Sequence, residues 1–436
     1  MIQRIVEVNG GTLEDVRLIA GRAPDELRRH RSLASWVIRI HKGLHHLMIV
    51  APLQVNASYG IYVHIPFCAH ICPYCDFTTY AGKQDLIPRY VDALCREIER
   101  SGPAVADRCA ATVFIGGGTP SLLSADQMSR ILDSCRSAFA LDREAEISVE
   151  CNPNGLNADL LTGYRAAGVN RLSIGAQTLD RRGLRTLGRH HEAIDVLSAL
   201  AAARSAGFSN VSVDLIFSWP GQTLESWKSD LGALLQLQDA PEHLSLYSLI
   251  VEPGTPFADA AARGILRIPD DDAAADLYEA AIEMLAAAGW THYEVANWAR
   301  TPELYSRHNA IYWQYGNYLG LGAGAHGHVS PRRTMNHLLP ETYCEAVERG
   351  EAGVSRTEVI DPCTQRGETM MLGLRLLREG VNAEAFQRRH GISFSDAFGD
   401  TVDELERIGM IVTTPTGIRL SERGLMLAND VVARFL

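Results

Sequence analysis

The chain has 436 residues, of which 46% are hydrophobic and 21% charged, and its formal net charge is −11. This balance is typical of a folded globular protein of more than one domain, and the negative charge argues against general nucleic-acid binding, which needs a basic surface. No apolar run reaches the ~20 residues of a membrane helix, and residues 1–50 lack the apolar segment and cleavage site of a signal peptide. The sequence therefore predicts a cytoplasmic protein that binds no nucleic acid.

Residues 1–57 do not share the pattern of the rest of the chain. They carry a basic run at 28–31 (RRHR) and four histidines, at positions 30, 41, 45 and 46. We interpret them as an N-terminal extension without defined structure, or as a misassigned start in which Met48 is the first residue. An arm that binds a metal or a haem is the alternative.

From residue 60, six β-rich runs alternate with six helical stretches. The strands are predicted at 60–67, 111–115, 146–150, 171–174, 211–217 and 243–247, and the helices at 84–100, 125–138, 158–167, 191–206, 224–236 and 271–288. Alternating strands and helices indicate a parallel sheet, because parallel strands need long crossovers. Six units are too few for a closed eightfold barrel, so the predicted fold is α/β, with a partial (β/α)6 barrel over 58–300. A doubly wound open sheet is the alternative, and both place the chemistry at the C-terminal ends of the strands.

The last third of the chain has a different composition. Residues 301–358 are predicted to be a linker or cover region rich in aromatic side chains, histidine and glycine, and 359–436 a mainly helical, winged-helix-like domain. In that domain two short strands flank the turn 414–417 (TPTG), which is typical of a hairpin. We interpret this domain as a cover on the barrel rather than a DNA-binding module, since the chain is acidic.

Three of the nine cysteines fall close together, in the motif Cys68-x-x-x-Cys72-x-x-Cys75. Soft thiolates suit iron–sulfur clusters, and three of them bound to a four-iron cluster leave one iron open to a ligand. Zinc is the competing interpretation, with His64 or His70 as a fourth ligand, because a structural zinc site takes four protein ligands. The odd number of cysteines and the length of the chain argue against a disulfide framework.

Candidate ligand-binding residues lie in successive predicted strands or in the turns that follow them. A glycine-rich turn at 116–120 (GGGTP) lets the backbone approach a ligand closely and present its N–H groups. A carboxylate such as Asp214 accepts hydrogen bonds from ribose hydroxyls. The full set of candidates is Tyr62, Gly117, Gly118, Thr119, Glu150, Gln177, Arg189 and Asp214.

With these motifs, residues 60–436 resemble the radical S-adenosylmethionine (SAM) superfamily. In that family three cysteines hold a [4Fe–4S] cluster, SAM binds the open iron, and one electron cleaves SAM to a 5′-deoxyadenosyl radical. The resemblance implies that Cys68, Cys72 and Cys75 hold the cluster and that the candidate residues contact SAM, the glycine turn meeting its amino group.

Within the superfamily, the segments 62–68 (YVHIPFC), 116–120 and 220–223 (PGQT) resemble the oxygen-independent coproporphyrinogen III oxidase group. The oxidases carry a fourth cysteine two residues after the third, whereas this chain has Phe77 there. The chain therefore resembles the HemW branch of haem chaperones, as does the motif 308–313 (HNAIYW). Imidazole is the commonest protein ligand of haem iron, so His308 is a candidate haem ligand and His326 a second one.

The resemblance implies a haem chaperone that carries the cluster and SAM, binds haem as cargo and delivers it to respiratory proteins. Its implied partners are an electron donor such as flavodoxin or ferredoxin, and a membrane surface that it contacts transiently. Two enzymatic alternatives stay open. The first is oxidative decarboxylation of coproporphyrinogen propionates, and the second is another radical reaction on a tetrapyrrole. The sequence leaves open whether SAM is cleaved.

Overall fold

A computed structural model describes residues 59–105 and 108–436. The N-terminal extension, with its four histidines and basic run, lies outside these ranges. The strands are β1 Tyr59–Ile65, β2 Phe67–Cys68, β3 Tyr80–Ala81, β4 Cys109–Gly117, β5 Ala140–Cys151, β6 Arg171–Gln177, β7 Val211–Phe217, β8 His243–Ser248, β9 Thr291–Glu294, β10 Asn297–Ala299, β11 Tyr318–Leu321, β12 His326–Val329, β13 Arg332–Asn336, β14 Val354–Val359, β15 Val381–Asn382, β16 Ile411–Thr414 and β17 Gly417–Leu420. The α-helices are α1 Ile87–Ser101, α2 Ala125–Ala138, α3 Ala158–Ala166, α4 Arg181–Thr186, α5 Ala193–Ser205, α6 Leu224–Leu235, α7 Pro256–Ala262, α8 Asp271–Ala287, α9 Arg307–Trp313, α10 Pro340–Glu348, α11 Pro362–Gly373, α12 Ala383–His390, α13 Phe394–Arg407, α14 Glu422–Met426 and α15 Ala428–Ala433.

The strand order of the main sheet decides between the two predicted α/β architectures. Within the described residues the order is β14-β13-β12-β11-β1-β4-β5-β6-β7-β8-β10-β9. The six predicted strands thus lie side by side in chain order and are parallel. A doubly wound sheet reverses its strand order at a switch point, and no reversal occurs between β1 and β8. The predicted partial barrel is confirmed.

The two faces of this curved sheet carry different side chains. Right-handed crossovers place successive helices on the same face when the strands run in order. On that face Ile61, Val63 and Val113 are fully buried in the main hydrophobic core, which includes side chains of the surrounding helices. The alternate residues point into the barrel, where Tyr62 is paired with Phe114 in the strand register. The barrel interior therefore has its own set of aromatic and polar side chains, separate from the core.

Residues after the sixth strand–helix unit extend the sheet at both ends. Strand β11 pairs in parallel with β1, and β12, β13 and β14 follow it as antiparallel strands. At the other end, β10 and β9 add antiparallel to β8. The region 301–358 thus contributes four strands to the main sheet, and the domain division at 300 stays a prediction.

The C-terminal segment has its own small core. Strands β16 and β17 form the predicted antiparallel hairpin, and β15 adds beside β17 as a third strand. After the hairpin, the helical segment is divided into α14 and α15 at Leu427, whose φ of −119° and ψ of 31° are not helical. Strands and flanking helices together match the predicted winged-helix-like arrangement.

Helix α11 connects this segment to both ends of the open sheet. Glu368 on α11 forms a buried ion pair with Arg333 on β13, at an N···O distance of 2.8 Å. Arg375, two residues beyond the helix, pairs at 2.5 Å with the fully buried Glu294 of β9. The helix therefore lies against strands from opposite ends of the sheet order. Within the described ranges, no helix is both long and apolar enough to cross a membrane.

Candidate functional site

The three motif cysteines lie in a loop that follows β1. Cys68 ends the short strand β2, which pairs with β3 on the far side of the loop. The backbone N–H of Cys75 donates to the carbonyl of Cys72 at 3.0 Å, which turns the chain back between these two side chains. The hydroxyl of Thr119 donates to Cys68 Sγ at 3.5 Å. The loop is thus fixed at both ends and in contact with the glycine-rich turn.

The cysteine thiols are largely shielded from solvent. Burial raises the pKa of Cys68, and it raises the pKa of Cys75 to about 11. A metal or cluster must therefore displace protons when it binds these thiols. In the part of the chain that the structure describes, no three His, Cys, Asp or Glu side chains converge on one position that could hold a single metal ion, whereas a four-iron cluster takes each thiolate on a separate iron.

The glycine-rich turn is pinned against the cysteine loop by backbone hydrogen bonds. The N–H of Gly118 donates to the carbonyl of Ile65 at 2.8 Å, and that of Thr119 to the carbonyl of Phe67 at 2.8 Å. A Cβ atom at position 118 would lie 2.7 Å from Phe67 O and 3.0 Å from Cys68 Sγ. Gly117 adopts a φ of +113°, which favours glycine. This close packing explains the glycines at both positions.

Two carboxylates face the barrel interior beside this turn. Glu150 accepts a hydrogen bond from the N–H of Gly117 at 2.9 Å, and burial, with a smaller effect of the Asp214 charge, raises its pKa to about 7. Asp214 accepts hydrogen bonds from Ser173 at 2.9 Å and from Ser212 at 3.3 Å, and burial raises its pKa as well. Strands β5 and β7 thus present hydrogen-bond acceptors to the same space.

Arg189 joins the cysteine loop to the strand ends. Its guanidinium donates to Cys72 Sγ at 3.6 Å, to Asn152 Oδ1 at 2.9 Å and to the carbonyl of Gly175 at 3.0 Å. Its Nε is buried and has no hydrogen-bond partner among the described residues. Gln177 has a φ of +65°, in the left-handed region, so the chain turns sharply where β6 ends. A buried N–H without a partner is typical of a site that a ligand completes.

The hydroxyl of Tyr62 is held near the cysteine loop. It is hydrogen-bonded to His64 Nδ1 at 2.8 Å, and His64 Nε2 contacts the carbonyl of Thr78 at 2.9 Å. Because a carbonyl only accepts, Nε2 carries the proton, Nδ1 accepts, and Tyr62 is the donor. The Tyr62 ring also stacks on Phe114, with ring centroids 6.3 Å apart.

His308 lies at the opposite end of the barrel from the cysteines. It is fully buried, with Nδ1 bonded to Thr112 Oγ1 at 2.7 Å and Nε2 to Tyr312 Oη at 2.7 Å, and burial lowers its pKa to about 3. Thr112 pairs with Gly60 near the start of β1. The cysteine loop begins after Ile65, roughly 16 Å further along that strand. The other predicted site residues therefore come together at the C-terminal strand ends, and His308 does not join them.

Sequence reasoning missed several polar groups that orient the predicted ones. Ser173 fixes Asp214, and Asn152 fixes Arg189. Asn152 directly follows β5, and Ser173 lies in β6 in register with Glu150. A search for every polar residue near the predicted ones, rather than for charged ones alone, would have found them.

Residues 62–234 match the family model of the Radical SAM superfamily, and residues 360–427 match that of the HemN C-terminal domain. Among solved structures, coproporphyrinogen III oxidase (HemN) from Escherichia coli, a radical SAM enzyme, matches with a TM-score of 0.74. The two chains are 24% identical, with 87% of this chain and 90% of that one covered. The fold is that of the radical SAM class.

Comparison with curated relatives identifies the family within the radical SAM class. The chain is 36% identical over 375 residues to the heme chaperone HemW of Lactococcus lactis, covering 86% of this chain and 96% of that protein. It is also 36% identical over 376 residues to the heme chaperone HemW of Bacillus subtilis, covering 86% and 98%. A mitochondrial radical S-adenosyl methionine domain-containing protein 1 from Bos taurus is 35% identical over 403 residues, covering 88% and 89%. The chain belongs to the HemW family.

Proposed function

We propose that this protein is a haem chaperone, which binds haem, carries a [4Fe–4S] cluster and SAM, and hands the haem to respiratory proteins. The observation that carries the proposal is the 36% identity to heme chaperones HemW over almost their whole length. The site supports the cluster and SAM in this proposal, because three thiols, a glycine-rich turn and two carboxylates meet at one end of the barrel. When bound, the cluster supplies one electron to SAM.

The residues of the site divide between two tasks. Cys68, Cys72 and Cys75 would supply thiolates to the cluster. The hydroxyl of Thr119 donates to Cys68 Sγ and the guanidinium of Arg189 donates to Cys72 Sγ, and both hydrogen bonds stabilise negative charge on sulfur. The residues proposed to hold SAM surround this loop and comprise Tyr62, Gly117, Gly118, Thr119, Glu150, Gln177, Arg189 and Asp214. The turn at 117–118 holds its backbone close to Cys68, and the carboxylates of Asp214 and Glu150 would accept hydrogen bonds from SAM.

Coproporphyrinogen III oxidase activity is the second candidate, supported by the fold shared with the E. coli oxidase. Phe77 argues against it, since the oxidases of this group carry a cysteine at that position. The Phe77 side chain is 57% exposed on the cysteine loop. We therefore expect no formation of protoporphyrinogen from coproporphyrinogen by the reconstituted protein with SAM and reductant. Turnover in that assay would replace the chaperone proposal with the oxidase.

The remaining partners follow from the proposed role. A chaperone that delivers haem to respiratory membrane proteins works from the cytoplasm and contacts the membrane surface transiently. Its cluster takes its electron from a small donor such as flavodoxin or ferredoxin. We propose no nucleic-acid partner, because the net charge of −11 opposes one.

The test is anaerobic reconstitution followed by optical titration with haem. We expect about four irons per chain, and a saturable shift of the haem absorption at one haem per chain. Alanine at Cys68, Cys72 or Cys75 should abolish the iron colour, whereas Cys109→Ala, at an exposed cysteine outside the motif, should retain it. Iron retained in all three motif variants would refute the cluster assignment, and a reconstituted protein that binds no haem would refute the chaperone proposal.

A further inference from the structure

Two imidazole rings stack beside the cysteine loop. His70 lies between Cys68 and Cys72, and His190 directly follows Arg189 in the chain. Their ring centroids are 3.7 Å apart and their planes differ by 18°. The fold thus brings two histidines from distant segments into face-to-face contact at the edge of the candidate site.

Hydrogen bonds and close packing hold this pair in place. His70 Nε2 donates to the carbonyl of Gly188 at 3.1 Å, so the proton is on Nε2 and Nδ1 keeps a lone pair. Gly188 adopts a φ of +65°, and a Cβ there would lie 2.5 Å from Pro73 of the cysteine loop. The turn that carries His190 is therefore pressed against the loop that carries His70.

His190 differs from the other described histidines in its accessibility. Among the histidines in 59–105 and 108–436, it is the only one with an exposed side chain, and the rest are buried or half-buried. His308 is fully buried and both of its ring nitrogens are hydrogen-bonded. A cargo that must be taken up and released needs a coordinating atom that it reaches without opening the core.

Exposed side chains close in sequence to the two histidines suit an amphipathic macrocycle. Ile71, next to His70, is 49% exposed, and Ile194, in the first turn of α5 after His190, is 60% exposed. Arg185 on α4 is exposed just before the turn. An iron porphyrin combines apolar faces with a Lewis-acidic iron and two carboxylates, so apolar, imidazole and guanidinium groups match its three parts.

We propose that His190 is the axial iron ligand of the carried haem, at the rim of the cysteine loop, and that His70 positions its ring by stacking. The imidazole donates its nitrogen lone pair to the iron and displaces a water ligand, with no change in oxidation state. This inference rests on the proposed haem-binding function. It assigns the ligand to the surface rather than to His308 in the barrel.

The test compares variants in the full, anaerobically reconstituted chain by haem titration and by electron paramagnetic resonance of the ferric complex. His190→Ala should weaken haem binding by at least roughly tenfold, since even outer-shell changes at metal sites cost about that much, and should remove the nitrogen-ligated low-spin signal. His190→Met should give a new, thioether-ligated spectrum. His337→Ala, at a half-buried histidine elsewhere, is the control and should match the parent. Iron content per chain checks that the cluster is retained.

The positioning role of His70 has its own readout. His70→Ala should weaken binding with the ligand spectrum unchanged, and His70→Phe should restore the affinity, because a phenyl ring stacks but cannot coordinate iron. A His190→Ala protein with the parental spectrum and affinity would overturn the site and leave haem binding itself intact. Absence of haem binding by the parent protein would overturn the proposed function, and the site with it.

Discussion

At the scale of single residues, contacts among backbone, glycine and sulfur atoms shape the candidate site. Replacing Gly118 by alanine places a methyl group 3.0 Å from Cys68 Sγ and 2.7 Å from a backbone carbonyl. The N–H groups of Gly118 and Thr119 are hydrogen-bonded to the carbonyls of Ile65 and Phe67, so the turn cannot move away freely. Overpacking of this kind costs about 1–3 kcal/mol. We expect Gly118→Ala to retain less iron after reconstitution.

The matched control is Gly232→Ala, on helix α6, where an added Cβ meets nothing within 4 Å. This variant should reconstitute like the parent, and its helix should gain slightly from the higher helix propensity of alanine. Equal iron content in Gly118→Ala and Gly232→Ala would show that the turn does not constrain the cluster loop.

Glu150 makes the stability of the cluster-free protein depend on pH. Its folded-state pKa is raised to about 7 from 4.5, mainly by burial. The folded state therefore binds the proton more tightly than the unfolded state, and the stability that this supplies is present at low pH and lost as pH rises through about 7. We expect roughly 1–3 kcal/mol of the free energy of unfolding to disappear between pH 5 and pH 8 from this group.

Urea unfolding of the cluster-free chain at the two pH values measures this effect. Glu150→Gln should reduce the difference in unfolding free energy between them, because its amide does not titrate. Glu144→Gln, at an exposed position of the same strand, should leave the difference unchanged. An identical pH dependence in the parent and in Glu150→Gln would contradict the assignment.

The sequence identified most polar residues of the site but not their contacts. Glu150 was predicted at the end of one strand and Asp214 within another, and the parallel topology brings the two strands to the same face of the site. That Arg189 bonds Asn152 and Cys72 depends on how a turn folds back over the barrel, which no local pattern encodes. The motif at 308–313 made His308 a candidate haem ligand. Its burial and its hydrogen bond to Thr112 follow from tertiary packing alone.

At the scale of elements, helix α11 depends on a buried ion pair. Arg333 and Glu368 expose only 10% and 5% of their side chains, and Tyr315 donates a further hydrogen bond to Glu368. Removing one partner leaves the other charge buried and unpaired, which costs about 3–5 kcal/mol. Arg333→Ala should lower the free energy of unfolding by that order, measured by urea denaturation.

An exposed ion pair is the control for the buried Arg333–Glu368 pair. Arg349 and Glu351 pair at 2.8 Å with more than half of each side chain exposed. Arg349→Ala should leave the unfolding free energy essentially unchanged, because solvent screens such pairs. Similar destabilisation in the two variants would mean that burial does not strengthen the Arg333–Glu368 contact.

At the scale of the whole molecule, the C-terminal segment completes the packing of the barrel. Trp313, the last residue of helix α9, and Tyr315, two residues further on, are buried in one apolar cluster with Met371, Leu372 and Leu376. A variant truncated after Val359 lacks these three apolar side chains, so both aromatic rings would be exposed to solvent. We expect it to aggregate, or to bind an apolar fluorescent dye strongly, where the full chain does not. A monomeric truncated chain with the dye response of the full chain would contradict this.

The sequence by itself determined the alternation of six strands with six helices, the cysteine spacing and the substitution of Phe77 for a fourth cysteine, because all three are local patterns. Only the tertiary structure decided that β11 enters the sheet beside β1, that α11 reaches both ends of the sheet, and that His70 stacks on His190. Each of these joins segments far apart in the chain. Such contacts arise when separate apolar faces and polar groups are buried together, so their partners are set by the fold and not by sequence neighbours.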